Sequence, residues 1–194
     1  MKSYSLIERA RFYHEAFPNW PPLRADERWI DGMWILGNNY RGSGYYGSYP
    51  AGYLKRIMVM FPDAERILHL FSGSLPPGNY DRLDINPELK PEICADAEQL
   101  SQVVKPGYYD LILADPPYSK EDAKRYGYPL VSRNRVVSEV AKVLRDGGYL
   151  IWLDQVLPMF RKTELSFCGA IGVIISTNHR FRVSIWFRKN ATNS

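Results

Sequence analysis

The sequence predicts an α/β protein with a mostly parallel sheet, helices on both faces of that sheet and an antiparallel hairpin at its C-terminal end. From residue 66 onward, short apolar runs alternate with helical patterns, which is typical of strands joined by crossover helices. Successive runs end either in a glycine-containing turn or in an aspartate. The last two runs are rich in β-forming residues and are separated by an Asn-His pair, which favours a closing hairpin.

The composition is that of a globular protein with one domain over residues 1–194. Of its 194 residues, 45% are hydrophobic and 24% are charged, which allows a sizeable core. No apolar run approaches the length of a membrane span, and the N-terminal stretch lacks the apolar centre of a signal peptide. We therefore expect a cytoplasmic protein with no membrane partner.

The charge of the chain and its few cysteines and histidines indicate which ligands are expected. A net charge of +4 and a pI near 9.0 tilt the chain mildly towards polyanionic partners. Cys94 and Cys168 lack metal-ligand spacing, and the three histidines are scattered. We expect two buried thiols and no metal site.

The N-terminal part differs in composition from the rest of the chain. Residues 1–48 form a segment rich in aromatic residues, proline and glycine, ahead of the core of the domain over 49–189. Two stretches in the N-terminal part, FPNWPPLRADERW and NNYRGSGYYGSYPAG, are expected to be irregular. In AGYLKRIMVM, Leu54, Ile57 and Met58 lie at helical spacing, which predicts a helix over 51–60.

Strands and helices are predicted in alternation after residue 66. The strands are RILHLF (66–71), YDRLDIN (80–86), PEICAD (91–96), YYDLILA (108–114), YLIWLDQV (149–156), AIGVIIST (170–177) and HRFRVSIWF (179–187). A short helix is predicted after residue 96, and another over 158–165. A longer amphipathic helix over 134–148 has Val136, Val140 and Val143 on one face and a glycine pair as its stop signal.

The ends of four successive predicted strands carry polar or small residues. Gly73 lies in the turn after the first strand, and Asp84, Asp96 and Asp115 end the next three. Because ligands of such sheets bind outside the carboxyl ends of the strands, these residues are expected to gather at one edge. A carboxylate at a strand end also commonly caps a helix or forms a turn, but three at equivalent places favour a site.

The stretch after the fourth strand is unusual for a turn. Asp115 is followed by Pro116 and Pro117, which have fixed φ angles and no N–H for a helix or sheet. Tyr118 comes directly after them. The four residues are predicted to form a rigid ledge that presents a carboxylate and an aromatic ring.

This order of features resembles the S-adenosylmethionine-dependent amino-methyltransferases, and among them the N6-adenine DNA methyltransferases, over residues 49–189. The most specific part is DPPY at 115–118, which matches the catalytic signature of the family. LFSGSL looks like the glycine turn of the cofactor site, LDIN like the strand with the ribose-binding acid, and ADAEQL like the segment with the acid near the cofactor's adenine. The resemblance implies a Rossmann-like methyltransferase fold and S-adenosyl-L-methionine as cofactor.

The resemblance also implies a role for each residue. Asp115 and a backbone carbonyl held outward by Pro116 and Pro117 would accept hydrogen bonds from the exocyclic amine of a flipped base, and Tyr118 would stack on that base. On the cofactor side, Asp84 would hold the ribose hydroxyls, and Asp96 and Ala97 the adenine. The implied cofactor-binding set is Phe71, Gly73, Asp84, Asp96, Ala97 and Asp115.

The chain departs from the family's pattern in two places. His69 and Leu75 stand where the family has an acid and a second glycine, which removes the expected partner of the cofactor's ammonium group. A catalytically degenerate nucleic-acid-binding subunit therefore stays an alternative. The stretch 119–133 is too short for a base-reading insert, and its Lys120, Lys124 and Arg125 suit a lid or phosphate contacts.

The expected partner is a nucleic acid, with DNA favoured over RNA. An RNA base methyltransferase is the second alternative, since related signatures in small ribosomal RNA enzymes usually carry phenylalanine where this chain has Tyr118. A homodimer or a partner subunit is expected to supply specificity.

Overall fold

The computed structural model describes residues 4–37, 49–176 and 181–192, and a nine-stranded sheet forms its centre. The strands are β1 Arg24–Ala25, β2 Ile30–Leu36, β3 Ile67–Leu70, β4 Asp81–Asp84, β5 Ile93–Cys94, β6 Tyr109–Ala114, β7 Leu144–Asp154, β8 Leu165–Ile175 and β9 Phe181–Lys189. The α-helices among these residues are α1 Leu6–Ala16, α2 Tyr53–Met60, α3 Leu100–Val103, α4 Lys120–Tyr126 and α5 Arg133–Val143. Two short 3₁₀ turns cover Pro87–Leu89 and Ala97–Gln99.

The sheet is mostly parallel, as the sequence predicts. Its order is β1-β2-β8-β9-β7-β6-β3-β4-β5. β9 runs antiparallel to its neighbours β7 and β8, and β1 runs antiparallel to β2, whereas the other pairs are parallel. From β3 the chain proceeds outward through β4 and β5, and from β6 it proceeds in the opposite direction to β7. The carboxyl ends of β3 and β6 therefore flank a topological switch point, where open α/β sheets bind ligands.

Two hydrophobic clusters cover the two faces of the sheet. In β6 every residue is buried, with Leu111 and Leu113 in one cluster and Ile112 and Ala114 in the other. This alternation follows from the two-residue repeat of a strand. Helices α1 and α2 contribute to the first cluster, and α3 and α5 to the second. The prediction of helices on both faces is confirmed.

The N-terminal part contains three elements that the sequence patterns did not predict, namely α1, β1 and β2. Ser5 caps α1 in a capping box, in which the Glu8 backbone N–H donates to the Ser5 hydroxyl (3.2 Å) and the Ser5 backbone N–H donates to the Glu8 carboxylate (2.8 Å). The Ser-x-x-Glu spacing was a readable signal for this helix start. β2 pairs in parallel with β8 along its whole length, so residues 30–36 belong to the same sheet as the predicted core.

Three local predictions are wrong. No helix covers residues 158–165, where the chain makes a turn in which the backbone N–H groups of Glu164 and Leu165 donate to the Arg161 carbonyl (2.9 and 3.0 Å). α5 ends at Val143, ahead of the glycine pair, because Leu144 is already extended and pairs with Tyr109. Cys94 is exposed, although Cys168 is buried as expected.

Parts of two predictions lie outside the described residues. They are most of NNYRGSGYYGSYPAG and the Asn-His turn of the closing hairpin, whose strands β8 and β9 form as predicted. Among the helices described, none combines the length and the apolar character that crossing a bilayer needs.

A buried arginine connects α1 to the end of α2 and the residues after it, and its loss should destabilise the fold. Arg9 donates to both carboxylate oxygens of Asp63 (2.9 Å each) and to the Met60 carbonyl (2.6 Å), and only 2% of its side chain is exposed. Arg9→Ala leaves a buried carboxylate without its partner, so we expect a loss of ~3–5 kcal/mol in the free energy of unfolding, measured by urea denaturation. Arg11→Ala, on the exposed side of the same helix, should change it by less than about 0.5 kcal/mol. Equal losses in the two variants would contradict this assignment.

Candidate active site

The turn after β3 and the end of β4 are joined by one carboxylate. Asp84 accepts hydrogen bonds from the backbone N–H groups of Gly73 (2.9 Å) and Asn86 (3.0 Å). Gly73 has a φ of 52°, a left-handed conformation in which a side chain would be strained. The structure therefore brings together two of the residues that the sequence places in the cofactor site.

The same turn carries backbone strain and an unpaired polar group. Phe71 has a φ of 56°, which is uncommon for a residue other than glycine. The hydroxyl of Ser72 is buried and has no hydrogen-bond partner among the described residues. Strained residues persist where surrounding structure over-determines them, and they cluster at ligand sites. The turn thus offers a hydroxyl and a shaped backbone to a ligand.

Asp96 and Ala97 lie one strand further from the switch point. One carboxylate oxygen of Asp96 accepts from the Glu98 backbone N–H (2.9 Å) and so caps the 3₁₀ turn that begins at Ala97, which is itself buried. Capping is the simpler role that the sequence left open for this acid. A capping carboxylate retains acceptor positions for a ligand.

The Asp-Pro-Pro-Tyr ledge begins directly after β6. The Tyr118 hydroxyl donates to the Asp115 carboxylate, and the Arg182 guanidinium lies over the Tyr118 ring, 4.5 Å from its centroid. Arg182 comes from β9, whose neighbour Val183 pairs with the end of β7. The expected stacking face of Tyr118 therefore carries a cation in this structure, a contact that the sequence pattern does not indicate.

Burial and opposing charges set the ionisation of Asp115. Burial raises the pKa of Asp115 to about 6, since few groups around the carboxylate replace its hydration. Arg182 and the Tyr118 hydrogen bond oppose this shift, and the charge of Asp154 adds to it. Burial and the Asp115 charge in turn raise the pKa of Tyr118. The carboxylate is therefore mostly ionised at pH 7, and the tyrosine hydroxyl keeps its proton.

Two tyrosines form an aromatic wall beside Asp115. Tyr49 and Tyr53 stack with ring centroids 5.7 Å apart, and the Tyr53 hydroxyl lies 2.8 Å from the Ser184 hydroxyl. Burial raises the pKa of both tyrosines, and the charge of Asp115 adds to each shift. Tyr53 is the first residue of α2, and Tyr49 lies just ahead of that helix.

His69 is a neutral side chain in this wall. Burial lowers the pKa of His69 to about 4. Its Nδ1 lies 3.4 Å from the Tyr49 hydroxyl, and the Tyr80 ring packs against it at 4.6 Å. The position at which the resembling family has an acid is thus neutral at pH 7.

An open cavity lies next to the ledge. It has a volume of about 510 Å³ and is lined by Lys120, Lys124, Gly127, Tyr128, Pro129 and Leu130. Ser119, directly after the ledge, caps α4 by accepting from the Asp122 backbone N–H (3.1 Å). The cavity therefore combines two lysines with an aromatic ring close to the candidate site.

Within the described parts of the chain, no three histidine, cysteine or acidic residues are grouped as a metal site.

No protein-family model and no curated protein sequence matches this chain. Among solved structures, it is similar to TrmN from Thermus thermophilus, with a TM-score of 0.53 and 16% identity over 77% of this chain and 52% of that one. It is also similar to a TehB-like SAM-dependent methyltransferase from Corynebacterium glutamicum (TM-score 0.48, 16% identity, 78% of this chain and 93% of that one). N-methyltransferase NodS from Bradyrhizobium japonicum gives a TM-score of 0.45 and 11% identity, over 66% of this chain and 79% of that one.

The chain spans about half the length of TrmN. The similarity between this chain and TrmN, together with the strand order, shows that the chain has the Rossmann-like methyltransferase fold.

The pKa of Asp115 gives a prediction about stability. A carboxyl with a pKa of about 6 in the folded chain and about 3.9 in the unfolded chain binds its proton more tightly when folded. Its contribution to stability is therefore fully present below about pH 4 and is lost as the pH rises through 6. Asp115→Asn cannot ionise, so we expect it to be more stable than the natural chain by roughly 1–3 kcal/mol at about pH 7.5. The gain in urea denaturation should vanish near pH 4, and a gain that is independent of pH would contradict the assignment.

Proposed function

We propose that this protein transfers a methyl group from S-adenosyl-L-methionine to an exocyclic amine of a nucleic-acid base, with adenine N6 in DNA as its target. The observation that carries the proposal is the placement of the Asp115–Tyr118 ledge at the carboxyl end of β6. There it adjoins the turn around Gly73 that Asp84 holds in place. The Rossmann-like methyltransferase fold supports this assignment.

The residues of the cofactor side fit S-adenosylmethionine. A carboxylate has about four acceptor positions, and Asp84 uses two of them for backbone N–H groups, which leaves acceptors for ribose hydroxyls. The buried Ser72 hydroxyl has no partner among the described residues, and Asp96 and Ala97 are proposed to contact the adenine. When bound, the cofactor supplies a methyl group on a positively charged sulfur.

Asp115 acts on the amine that is to be methylated. The lone pair of an exocyclic amine is delocalised into the ring of the base, which makes this nitrogen a poor nucleophile. A hydrogen bond from its N–H to the Asp115 carboxylate localises the lone pair on the nitrogen. Because the pKa of Asp115 is about 6, the carboxylate is ionised and available as an acceptor at pH 7, and it is basic enough to take up the proton that the amine loses.

Tyr118 and the neighbouring aromatic residues suit a flat substrate. A base extracted from its stack is held in such pockets by stacking on aromatic side chains. For the Tyr118 ring to stack on a base through the face that Arg182 now covers, the guanidinium has to move aside. The buried rings of Tyr49 and Tyr53 then close the pocket on another side and exclude water.

Catalysis and cofactor binding should fail separately in two variants. Asp115→Ala should reduce methyl transfer to oligonucleotides at least ~100-fold, since the group acts on the amine, while cofactor affinity measured by calorimetry falls by less than it does in Asp84→Ala. Asp84→Ala should weaken cofactor binding by roughly 1–3 kcal/mol. The assay uses labelled cofactor with matched DNA and RNA oligonucleotides, and modified positions are mapped. Transfer to RNA alone would replace the DNA assignment, and cofactor binding without any transfer would favour a non-catalytic subunit.

The lysine-lined cavity is proposed to contact the nucleic-acid backbone beside the target base. Each phosphate contact made by a lysine or arginine releases counterions, so binding weakens with salt in proportion to the number of contacts. Lys120→Ala/Lys124→Ala should reduce the slope of log K against log salt by about 2 and weaken binding of all sequences alike. Lys105→Ala, which changes an exposed lysine ahead of β6 at the opposite end of the sheet, serves as the control. An unchanged slope in the double variant would exclude the cavity from the interface.

A further inference from the structure

Arg133, the first residue of α5, links the ledge to the end of β7. Its Nη2 donates to the Tyr118 carbonyl (2.8 Å), and its Nε donates to the Asp154 carboxylate (2.6 Å). Asp154 is the last residue of β7 and is fully buried, while 16% of the Arg133 side chain is exposed. One guanidinium therefore joins three parts of the chain that are far apart in sequence.

The surroundings of Asp154 are those of a fully satisfied buried carboxylate. Besides Arg133, it accepts from the Trp152 indole N–H (3.1 Å) and from the Gln155 backbone N–H (2.7 Å). A buried ion pair of this kind contributes little net stability compared with apolar residues of similar size, because desolvation offsets the attraction. Stability of the fold therefore does not account for the Arg133–Asp154 pair, whereas the contact of Arg133 with the Tyr118 carbonyl does.

The pair also belongs to the charge environment of Asp115. The titratable groups that interact with Asp115 are Tyr118 on the ledge, Tyr49 and Tyr53 at α2, Asp154 on β7 and Arg182 on β9. Arg133 on α5 reaches this set through its bonds to Asp154 and the Tyr118 carbonyl, and His69 on β3 reaches it through Tyr49. His69 is neutral and the three tyrosines keep their protons at pH 7. The charges that remain are two carboxylates and two guanidiniums. Removing either member of the Arg133–Asp154 pair unbalances this set in a known direction.

We propose that Arg133 and Asp154 are a positioning pair, which holds the Asp115–Tyr118 ledge through the Tyr118 carbonyl and shields Asp115 from the charge of Asp154. This inference rests on the proposed function, because it assigns a role in the same site. Neither residue touches the target amine. Both act through the position and the ionisation of Asp115.

The two members of the pair should move the titration of Asp115 in opposite directions. Arg133→Met leaves Asp154 uncompensated, so the midpoint of Asp115 should rise. Asp154→Asn removes the negative charge and leaves the guanidinium, so the midpoint should fall. The measurement is the carboxyl carbon resonance of Asp115 followed by NMR against pH in the full-length chain, with Asp115→Asn used to assign the signal. A role limited to stabilising the fold predicts no change of midpoint in a variant that is still folded.

The ledge contact is tested separately by two further variants. Arg133→Met/Asp154→Asn removes both charges, so the midpoint of Asp115 should return towards the natural value. We expect kcat to stay at least 10-fold reduced, because the Tyr118 carbonyl has lost its hydrogen bond from Arg133. Arg133→Lys keeps the charge without the planar fork, so the midpoint should be preserved and kcat lowered, with the KM for the cofactor unchanged. Arg135→Met, at an exposed arginine of the same helix, is the matched control.

The outcomes separate this inference from the proposed function. If the natural chain transfers no methyl group, opposite shifts of the Asp115 midpoint still support the electrostatic part of the pair. If the natural chain is active, the positioning pair is overturned when folded Arg133→Lys has a normal kcat and folded Asp154→Asn has an unchanged midpoint. Should Arg133→Met unfold, these two milder variants decide the question.

Discussion

Keeping a carboxylate ionised at the end of a buried strand is the constraint on which the rest of the site depends. β6 is buried along its whole length, so Asp115 emerges from the core and is only partly exposed to water. Such a group needs fixed partners. They are Tyr118 from the same ledge and Arg182 from β9. Because β9 lies antiparallel between β7 and β8, its first residues reach the edge where the parallel strands end, and this brings a cation to the acid.

The cofactor side follows from the same edge of the sheet. β3 adjoins β6, and its following turn has to bend sharply to leave the switch point open, which places Phe71 and Gly73 at positive φ. A non-glycine residue in that conformation costs of order 1–3 kcal/mol, and Asp84 from the neighbouring strand holds the turn by bonding the Gly73 N–H. The acid that the resemblance links with ribose binding thus also shapes the turn, so the two roles share one side chain.

Much of the fold was predictable because it rests on local patterns. The buried strands stand out as apolar runs, α5 as an amphipathic repeat, and the ledge as a pair of prolines that no helix or central strand tolerates. The errors have local causes as well. The helix expected over 158–165 fails because the segment makes only a turn there, with Phe160 packed on Phe187. The capping box of α1 was a readable signal that the aromatic composition of the segment obscured.

The sequence by itself determined the α/β class, the strand ends that meet at one edge of the sheet and the position of Asp115 ahead of two prolines, since these depend on residue type and short spacing. The tertiary structure alone decided which distant residues lie near that carboxylate or bond to its neighbours. Arg182, Tyr53, Arg133 and Asp154 are ordinary residues in their own segments, and their importance arises from strand order and crossover geometry. The same is true of the neutral state of His69 and the raised pKa of Asp115. Burial sets both, and burial is a property of packing that no short stretch of sequence contains.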